Sequence, residues 1–148
     1  MELEMKEESK KLNEVINSNN LRDLIKILDR LGRLNSKFDK KPLIKLLNHP
    51  NDKIRSLSVK NLAKLEDITL LENFVNIIDY EKSSDVRREA VSAIGRMRNP
   101  INKKILIKYL NDSNPEVILQ AIRGLLIFKD DNEVKTILIK LLNHPNEM

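Results

Sequence analysis

A nine-residue segment occurs twice without change in this chain, as LIKLLNHPN at Leu43–Asn51 and again at Leu138–Asn146. A third copy begins at Leu106, and two weaker copies begin at Phe74 and Leu12. The five starts, at residues 12, 43, 74, 106 and 138, are separated by 31, 31, 32 and 32 residues. Self-similarity at such a period is typical of solenoids, in which each unit buries its apolar face against its neighbours.

Each copy opens with apolar residues at positions i, i+3 and i+4, which lie on one face of an α-helix, as do Leu43, Leu46 and Leu47. A polar turn follows, and then a second helical pattern with one small residue that lets two helices approach closely. No segment alternates with period two. We therefore predict an all-α fold, a right-handed α-solenoid of about four and a half helical hairpins that forms one domain over residues 1–148. The small residues are Ser58, Ala90 and Ala121.

Polar residues at the predicted turns support this division into hairpins. A side-chain oxygen before a helix can accept a hydrogen bond from a first-turn N–H and so cap the helix. The predicted caps of the first helices are Asp39, Asp67, Asn99 and Asp130. The only histidines, His49 and His144, occupy the same turn position in two copies. We interpret them as part of the repeat rather than as a pair of metal ligands.

The sequence is similar to the HEAT repeat, in particular to the short HEAT-like variety known from phycobilin lyases. The similarity lies in an apolar first helix, a polar turn, and an Ile-Arg or Val-Arg pair that opens the second helix four residues before the small residue. This pair is Ile54-Arg55 and then Val86-Arg87, whereas the next copy departs from the pattern with Val117-Ile118. The resemblance covers nearly the whole chain from residue 12. It implies that Arg55 and Arg87 brace their turns through hydrogen bonds to the backbone or to an Asp.

What the resemblance implies about function is broader, because this scaffold serves many tasks. Similar HEAT-like arrays precede DNA methyltransferase domains in some prokaryotic restriction-modification proteins. One interpretation is therefore that the chain is the N-terminal HEAT module of a prokaryotic DNA methyltransferase.

Basic residues are concentrated in the middle of the chain, whose formal net charge is +5. Residues 32–108 contain 17 Lys or Arg against nine Asp or Glu. Because stacked repeats align equivalent positions, these residues should form columns along the second helices. Such a surface can bind nucleic acid by releasing counterions, or it can bind protein or simply be solvated. The predicted basic face comprises Arg33, Lys60, Lys64, Arg87, Arg88, Arg96 and Arg123.

The C-terminal end carries apolar residues at positions where other copies have charged ones. The last copy stops at Met148, before its second helix would begin. Since solenoids normally end in a polar capping repeat, we expect the native polypeptide to continue and this end to dock on a protein partner or on the C-terminal domain of the same chain. The predicted docking residues are Ile118, Leu119, Ile127, Leu138, Leu141 and Leu142.

Residues for catalysis or cofactor binding are missing from the sequence. The absence of Cys excludes disulfides, thiolate zinc sites and a cysteine nucleophile. There is no His-Glu pair like those that hold iron in HEAT-like hydroxylases, no Trp for the aromatic pocket of HEAT-like DNA glycosylases, and no Gly-rich phosphate loop. We predict no enzymatic activity, no metal and no cofactor for this segment.

Hydropathy argues against a membrane location. No apolar run reaches the roughly 18 residues of a membrane span, and the charged start MELEMKEESK is unlike a signal peptide. We expect a cytoplasmic protein. The leading hypothesis is a non-catalytic scaffold or binding module for protein–protein or interdomain contacts. The alternative is a DNA-binding accessory module of a DNA methyltransferase or restriction-modification protein, which would use the basic face of the second helices.

Overall fold

Helices account for all the regular secondary structure in the part of the chain that the computed structural model describes. The described backbone covers residues 2–143, and the described side chains cover residues 5–143. The predicted all-α solenoid is confirmed. The α-helices are α1 (Glu2–Asn17), α2 (Leu21–Arg30), α3 (Lys41–Leu46), α4 (Asp52–Ala63), α5 (Leu71–Tyr80), α6 (Ser84–Arg96), α7 (Asn102–Lys108), α8 (Pro115–Leu125) and α9 (Asn132–Asn143). Short 3₁₀ turns cover Ile68–Leu70, Tyr109–Asn111 and Leu126–Phe128.

The helices pair along the chain as α1 with α2, α3 with α4, α5 with α6 and α7 with α8, and α9 follows. We call α1, α3, α5, α7 and α9 the first-helix layer, and α2, α4, α6 and α8 the second-helix layer. Each helix of the second-helix layer packs on the next, most extensively α6 on α4 and on α8. Helices of the first-helix layer contact mainly their own hairpin partners. The second helices therefore form one continuous layer along the solenoid. We call the solvent-exposed side of this layer the second-helix surface.

The small residues of the second helices lie in the core between hairpins. Ser58, Ala90 and Ala121 are completely buried, and the Ser58 hydroxyl donates a hydrogen bond of 2.7 Å to the carbonyl of Ile54. Large side chains such as Phe74, which is also fully buried, fill the space around them. Burying one such side chain contributes about 1.5 to 3 kcal/mol, so a continuous core of this kind holds the hairpins together.

Polar side chains accept backbone bonds in the turns between hairpins, but the predicted N-caps are confirmed only in part. Asp67 caps the 3₁₀ turn that leads into α5. The N-caps of α3 and α7 are Lys40 and Ile101, without a side-chain bond, so the predictions for Asp39 and Asn99 are wrong by one and two residues. The N–H groups of Lys41, Thr69 and Ile101 donate to the side chains of Asp39, Asp67 and Asn99 at 3.1, 2.9 and 3.0 Å. The prediction for Asp130 is wrong, because α9 begins at Asn132 and the residue before it, Asp131, accepts the bonds from Glu133 and Val134. Either Asp could cap a helix, and only the helix start selects between them.

Asn102 should be a site where an apolar residue improves stability. It is 1 % exposed, its amide donates to the carbonyl of Ile94 at 2.9 Å, and its buried oxygen has no hydrogen-bond partner among the described residues. The carbonyl of Ile94 also accepts from the N–H of Met97 and keeps that partner without Asn102. We expect Asn102→Leu to raise the free energy of unfolding in urea by about 1 kcal/mol, because an unsatisfied buried acceptor is removed.

Asn61 offers the matched control for this experiment. It is also 1 % exposed, but its amide donates to the carbonyls of Leu28 and Leu57, and its oxygen accepts from Lys64. Asn61→Leu should lower the free energy of unfolding by about 2 kcal/mol, because it leaves buried partners unpaired. If both variants lose stability to the same extent, the unpaired oxygen of Asn102 carries no cost.

Candidate interaction surface

The outward side of the second-helix layer carries most of the residues of the predicted basic face. Arg33 follows α2, Lys60 lies in α4, Arg96 ends α6 and Arg123 lies in α8. All four side chains are exposed, and none of them forms an ion pair within the described part of the chain. These four cations are therefore available to a ligand.

Lys64 also lies on this side, but its ammonium group is bound to the protein itself. Its Nζ donates to the carbonyls of Leu31 and Gly32 at 2.6 and 2.9 Å, and to the oxygen of Asn61 at 2.8 Å. The two carbonyls follow the end of α2, where a helix leaves acceptors without partners. Lys64 therefore caps the C-terminal end of α2 and in this way links the first two hairpins.

The charge of Lys64 still contributes to the positive field of this surface. Burial lowers the pKa of Lys64, and the neighbouring charges of Lys60 and Arg96 lower it further. Lys60 in α4 and Arg96 at the end of α6 are therefore both close enough to act on the charge of Lys64.

Two residues of the predicted basic face are paired with carboxylates. Arg88 lies 3.4 Å from Glu89 and remains 38 % exposed. Arg87 is only 13 % exposed and forms a two-bond ion pair with Asp112, at 2.9 and 3.2 Å. The side chain of Arg87 thus points from α6 to the turns between paired helices and does not belong to the basic face, because four hydrogen bonds hold its guanidinium group there.

Arg55 and Arg87 confirm the bracing role that the resemblance implies. The Nη1 group of Arg55 donates to the carbonyls of His49 and Pro50 in its own turn, at 2.9 and 3.0 Å. Its Nε and Nη2 groups donate to Glu81 in the next turn, at 2.9 and 2.8 Å. Arg87 repeats this arrangement one hairpin later. Each Arg therefore ties two successive hairpins together, which holds the second-helix surface in one geometry.

Electrostatics in this brace favour the charged forms. The hydrogen bond with Glu81 raises the pKa of Arg55, against the opposing effect of burial. Burial acts to raise the pKa of Glu81, but the bonds from Arg55 and from the N–H of Ser83 hold it below the ordinary value. Both groups remain ionised at neutral pH.

The turn within each hairpin is closed by one recurring hydrogen bond. A side chain two residues before the N-cap of the second helix accepts a bond from the N-cap N–H, which confirms that His49 belongs to the repeat architecture. His144 lies outside the described residues. The accepting atoms are Ser18 Oγ, His49 Nδ1, Glu81 Oε1 and Asp112 Oδ1, at 3.3, 3.0, 3.1 and 2.9 Å from the backbone nitrogens of Asn20, Asn51, Ser83 and Asn114.

A cavity of about 450 Å³ opens between α6 and α8 on the second-helix surface. It lies where these helices come closest, since a Cβ built on Gly95 would be 3.0 Å from the Cα of Gly124. Arg96, Arg98 and Arg123 line the cavity. Gly95 and Gly124 also line the cavity, so the backbone of both helices forms part of its wall.

Arg98 is a residue of this surface that the sequence did not reveal. It follows the end of α6 by two residues and therefore falls outside the columns of equivalent helix positions. Its φ angle is 52°, a left-handed conformation that is uncommon for a residue with a side chain. Gly or Asn would have signalled such a turn, whereas Arg carries no such signal.

A larger cavity, of about 650 Å³, lies between α3 and α5 in the first-helix layer. Asn48, Asn73 and Tyr80 line it together with Arg55 and Glu81, which are already paired with each other. It therefore offers amide and hydroxyl groups, but its buried charges are already neutralised. The cavity between α6 and α8 has the stronger capacity to select a charged ligand.

The predicted docking residues occupy different environments. Leu119, Ile127 and Leu142 are 38 %, 45 % and 77 % exposed, whereas Ile118, Leu138 and Leu141 are half-buried. Leu138 packs on the edge of the core, and Val134 is the one fully buried residue of α9. Three of the six predicted docking residues are therefore exposed, one each on α8, in the turn after it and on α9.

Among residues 5–143, no group of three or more His, Cys, Asp or Glu side chains is placed to hold a metal ion. The described helices include none that is both long and apolar enough to cross a membrane.

Comparison with protein-family models identifies the repeats. The model described as HEAT repeats matches residues 40–108 and residues 71–148, which together span most of the chain. No curated protein matches the sequence. HEAT repeats commonly serve as scaffolds for protein interactions and are generally non-catalytic. On the strength of the matched residues and of the stacked helical hairpins, the chain belongs to the HEAT-repeat family.

Proposed function

We propose that this chain is a non-catalytic scaffold that binds a protein, either a separate partner or another domain of its own polypeptide, on the second-helix surface. One observation carries the proposal. Arg96 and Arg123, which are exposed and form no ion pair among the described residues, flank a cavity on a layer that the Arg55 and Arg87 braces tie together. A pre-organised surface loses little conformational freedom on binding, which favours affinity.

The absence of Cys from the sequence allows a clean test. A single cysteine introduced as Ser92→Cys lies in the wall of the α6–α8 cavity, whereas Glu72→Cys lies on the exposed side of α5, outside the lining of both cavities. Each variant is labelled with a benzophenone maleimide and irradiated in an extract of the source cells. We expect a distinct protein adduct from Ser92→Cys and none from Glu72→Cys. The captured protein is then purified, and its binding to the unlabelled chain is measured. Equal adducts from both positions, or no binding by the purified protein, would contradict the proposal.

Binding of duplex DNA on the same surface is the second candidate function. Its support is the pair Lys60 and Arg96, whose charges both act on Lys64 from two successive helices. Such a module would serve as a DNA-binding accessory to a DNA methyltransferase. In that case affinity for duplex DNA should fall steeply as salt rises, and Lys60→Ala with Arg96→Ala should reduce the salt dependence. Lack of binding at low salt excludes this candidate.

A further inference from the structure

We infer that the cavity between α6 and α8 binds an acidic polypeptide segment in which apolar side chains flank the carboxylates. The inference rests on the proposed protein-binding function and specifies the chemistry of the partner.

The cavity carries an excess of positive charge. Arg96, Arg98 and Arg123 line it, with Glu66 as the opposing carboxylate. None of these four side chains is in an ion pair within the described residues. Guanidinium groups bind carboxylates in a planar two-bond geometry, which Arg55 and Arg87 already display elsewhere in this chain. Three available guanidinium groups around one cavity therefore select an acidic ligand.

Apolar side chains border this charge along α8 and the turn that follows it. Ile127, in the turn after α8, lines the cavity itself, and Leu119 lies one helical turn before Arg123 on α8. Leu119 is 38 % exposed and Ile127 is 45 % exposed. A ligand that meets Arg123 with a carboxylate therefore meets an apolar side chain on either side. A peptide that is acidic and apolar in alternation fits this surface.

The floor and wall of the cavity suit a peptide backbone. Gly95 and Gly124 present no side chain there, so a ligand can approach the helices closely. Ser92 and Gln120, which also line the cavity, supply a hydroxyl and an amide. These groups can bond to both the N–H and the C=O of an extended or helical segment.

The same features disfavour a nucleic acid in this cavity. Ile127 occupies the position at which the preceding hairpins have Lys64 and Arg96, so the basic column ends at the fourth hairpin. Glu66 adds a carboxylate that repels phosphate. Proteins that bind single strands usually stack bases on aromatic side chains, and the cavity is lined by none among the described residues.

The test measures the binding of short fluorescein-labelled peptides to the full chain by fluorescence anisotropy. One peptide is built from Glu-Glu-Leu triplets, a second from Glu-Glu-Ser and a third from Gln-Gln-Leu. We expect the Glu-Glu-Leu peptide to bind at least about tenfold more tightly than either of the others. This ranking requires both carboxylates and apolar side chains, as the cavity does.

Two pairs of variants locate the binding site. Arg123→Glu should weaken binding of the Glu-Glu-Leu peptide about tenfold, whereas Lys104→Glu, an equal charge change on exposed α7, should leave it unchanged. Ile127→Ser should weaken it severalfold, whereas Ile101→Ser, at a side chain that is 66 % exposed just before α7, should not. Unchanged melting temperatures confirm that each variant is folded.

Three results overturn the inference. The first is equal affinity for the Glu-Glu-Leu and Glu-Glu-Ser peptides. The second is an equal effect of Arg123→Glu and Lys104→Glu on peptide binding. The third is that duplex DNA binds more tightly than any peptide and that Arg123→Glu weakens its binding about tenfold. The proposed function is tested separately. If the cysteine at position 92 still captures a partner whose binding is insensitive to Arg123→Glu, the scaffold role stands and the acidic-ligand inference is wrong.

Discussion

Replacing Gly124 with Val should lower the free energy of unfolding by about 3 kcal/mol, the upper end of the usual cost of overpacking a core. A Cβ at this position would lie 2.9 Å from Cδ1 of Leu106 and 3.0 Å from the Cα of Gly95. Neither neighbour can move easily, because Leu106 is 1 % exposed and the other atom is helix backbone. Val has a higher helix propensity than Gly, but this difference offsets less than about 1 kcal/mol of the lost stability. The measurement is urea unfolding followed by far-UV circular dichroism.

Gly32 provides the matched control. It follows α2, and a Cβ built on it meets no atom within 4 Å. Gly32→Val should therefore change the free energy of unfolding by no more than about 0.5 kcal/mol. Comparable losses in the two variants would show that α6 and α8 do not rely on their glycines for close packing. Loss of stability at Gly124 alone would establish the contact that forms the floor of the cavity.

The fold was predictable because the same residue types recur at equivalent positions of successive repeats. Ser58, Ala90 and Ala121 recur at equivalent positions, so sequence alignment alone places them in one buried column. Gly95 and Gly124 do not recur in this way, since 29 residues separate them instead of 31 or 32. Their contact arises from the angle at which two helices cross, and a repeat pattern carries no information about that angle.

The candidate site was predictable only in part, because sequence reveals a charge but not its partner. Lys64 and Arg87 both belong to the predicted basic face, yet one caps the end of α2 and the other pairs with Asp112. Arg96 and Arg123 remain exposed. The missing member, Arg98, belongs to no helix, and a left-handed backbone conformation places it at the cavity. Local periodicity could not identify it.

The braces follow a rule that links successive hairpins. Arg55 lies four residues after the N-cap of α4, and Glu81 lies two residues before the N-cap of α6 in the next hairpin. Arg87 and Asp112 occupy the same two positions one hairpin later. Where the first hairpin has Leu24 at the first of these positions, the next has His49 at the second. The acid therefore occurs where an Arg of the preceding hairpin can pair with it. Its other role is to accept the N-cap N–H, and Ser18 and His49 also do this.

Arg87→Ile should therefore lower the free energy of unfolding by about 3 kcal/mol, the cost of leaving one partner of a buried ion pair alone. Asp112, whose side chain is 8 % exposed, would lose both bonds from the guanidinium group. The carbonyls of Glu81 and Lys82 would lose their donor as well. The loss is measured by urea unfolding and should be accompanied by faster hydrogen exchange in the turn before α8.

Adding Asp112→His to the Arg87→Ile variant should restore most of that stability, although it removes a second native residue. The double variant has an aliphatic residue and a His at the positions that Leu24 and His49 occupy in the first two hairpins. There the Nδ1 of His49 accepts the N-cap N–H at 3.0 Å. No carboxylate is left buried in this combination. Asp112→His alone should destabilise the chain, because it sets a His against the intact Arg87. The two single losses therefore cannot add, and a double-mutant cycle should give a coupling energy of about 2 kcal/mol. If the losses add instead, the correlation between Arg and acid in successive hairpins does not reflect an energetic link between them.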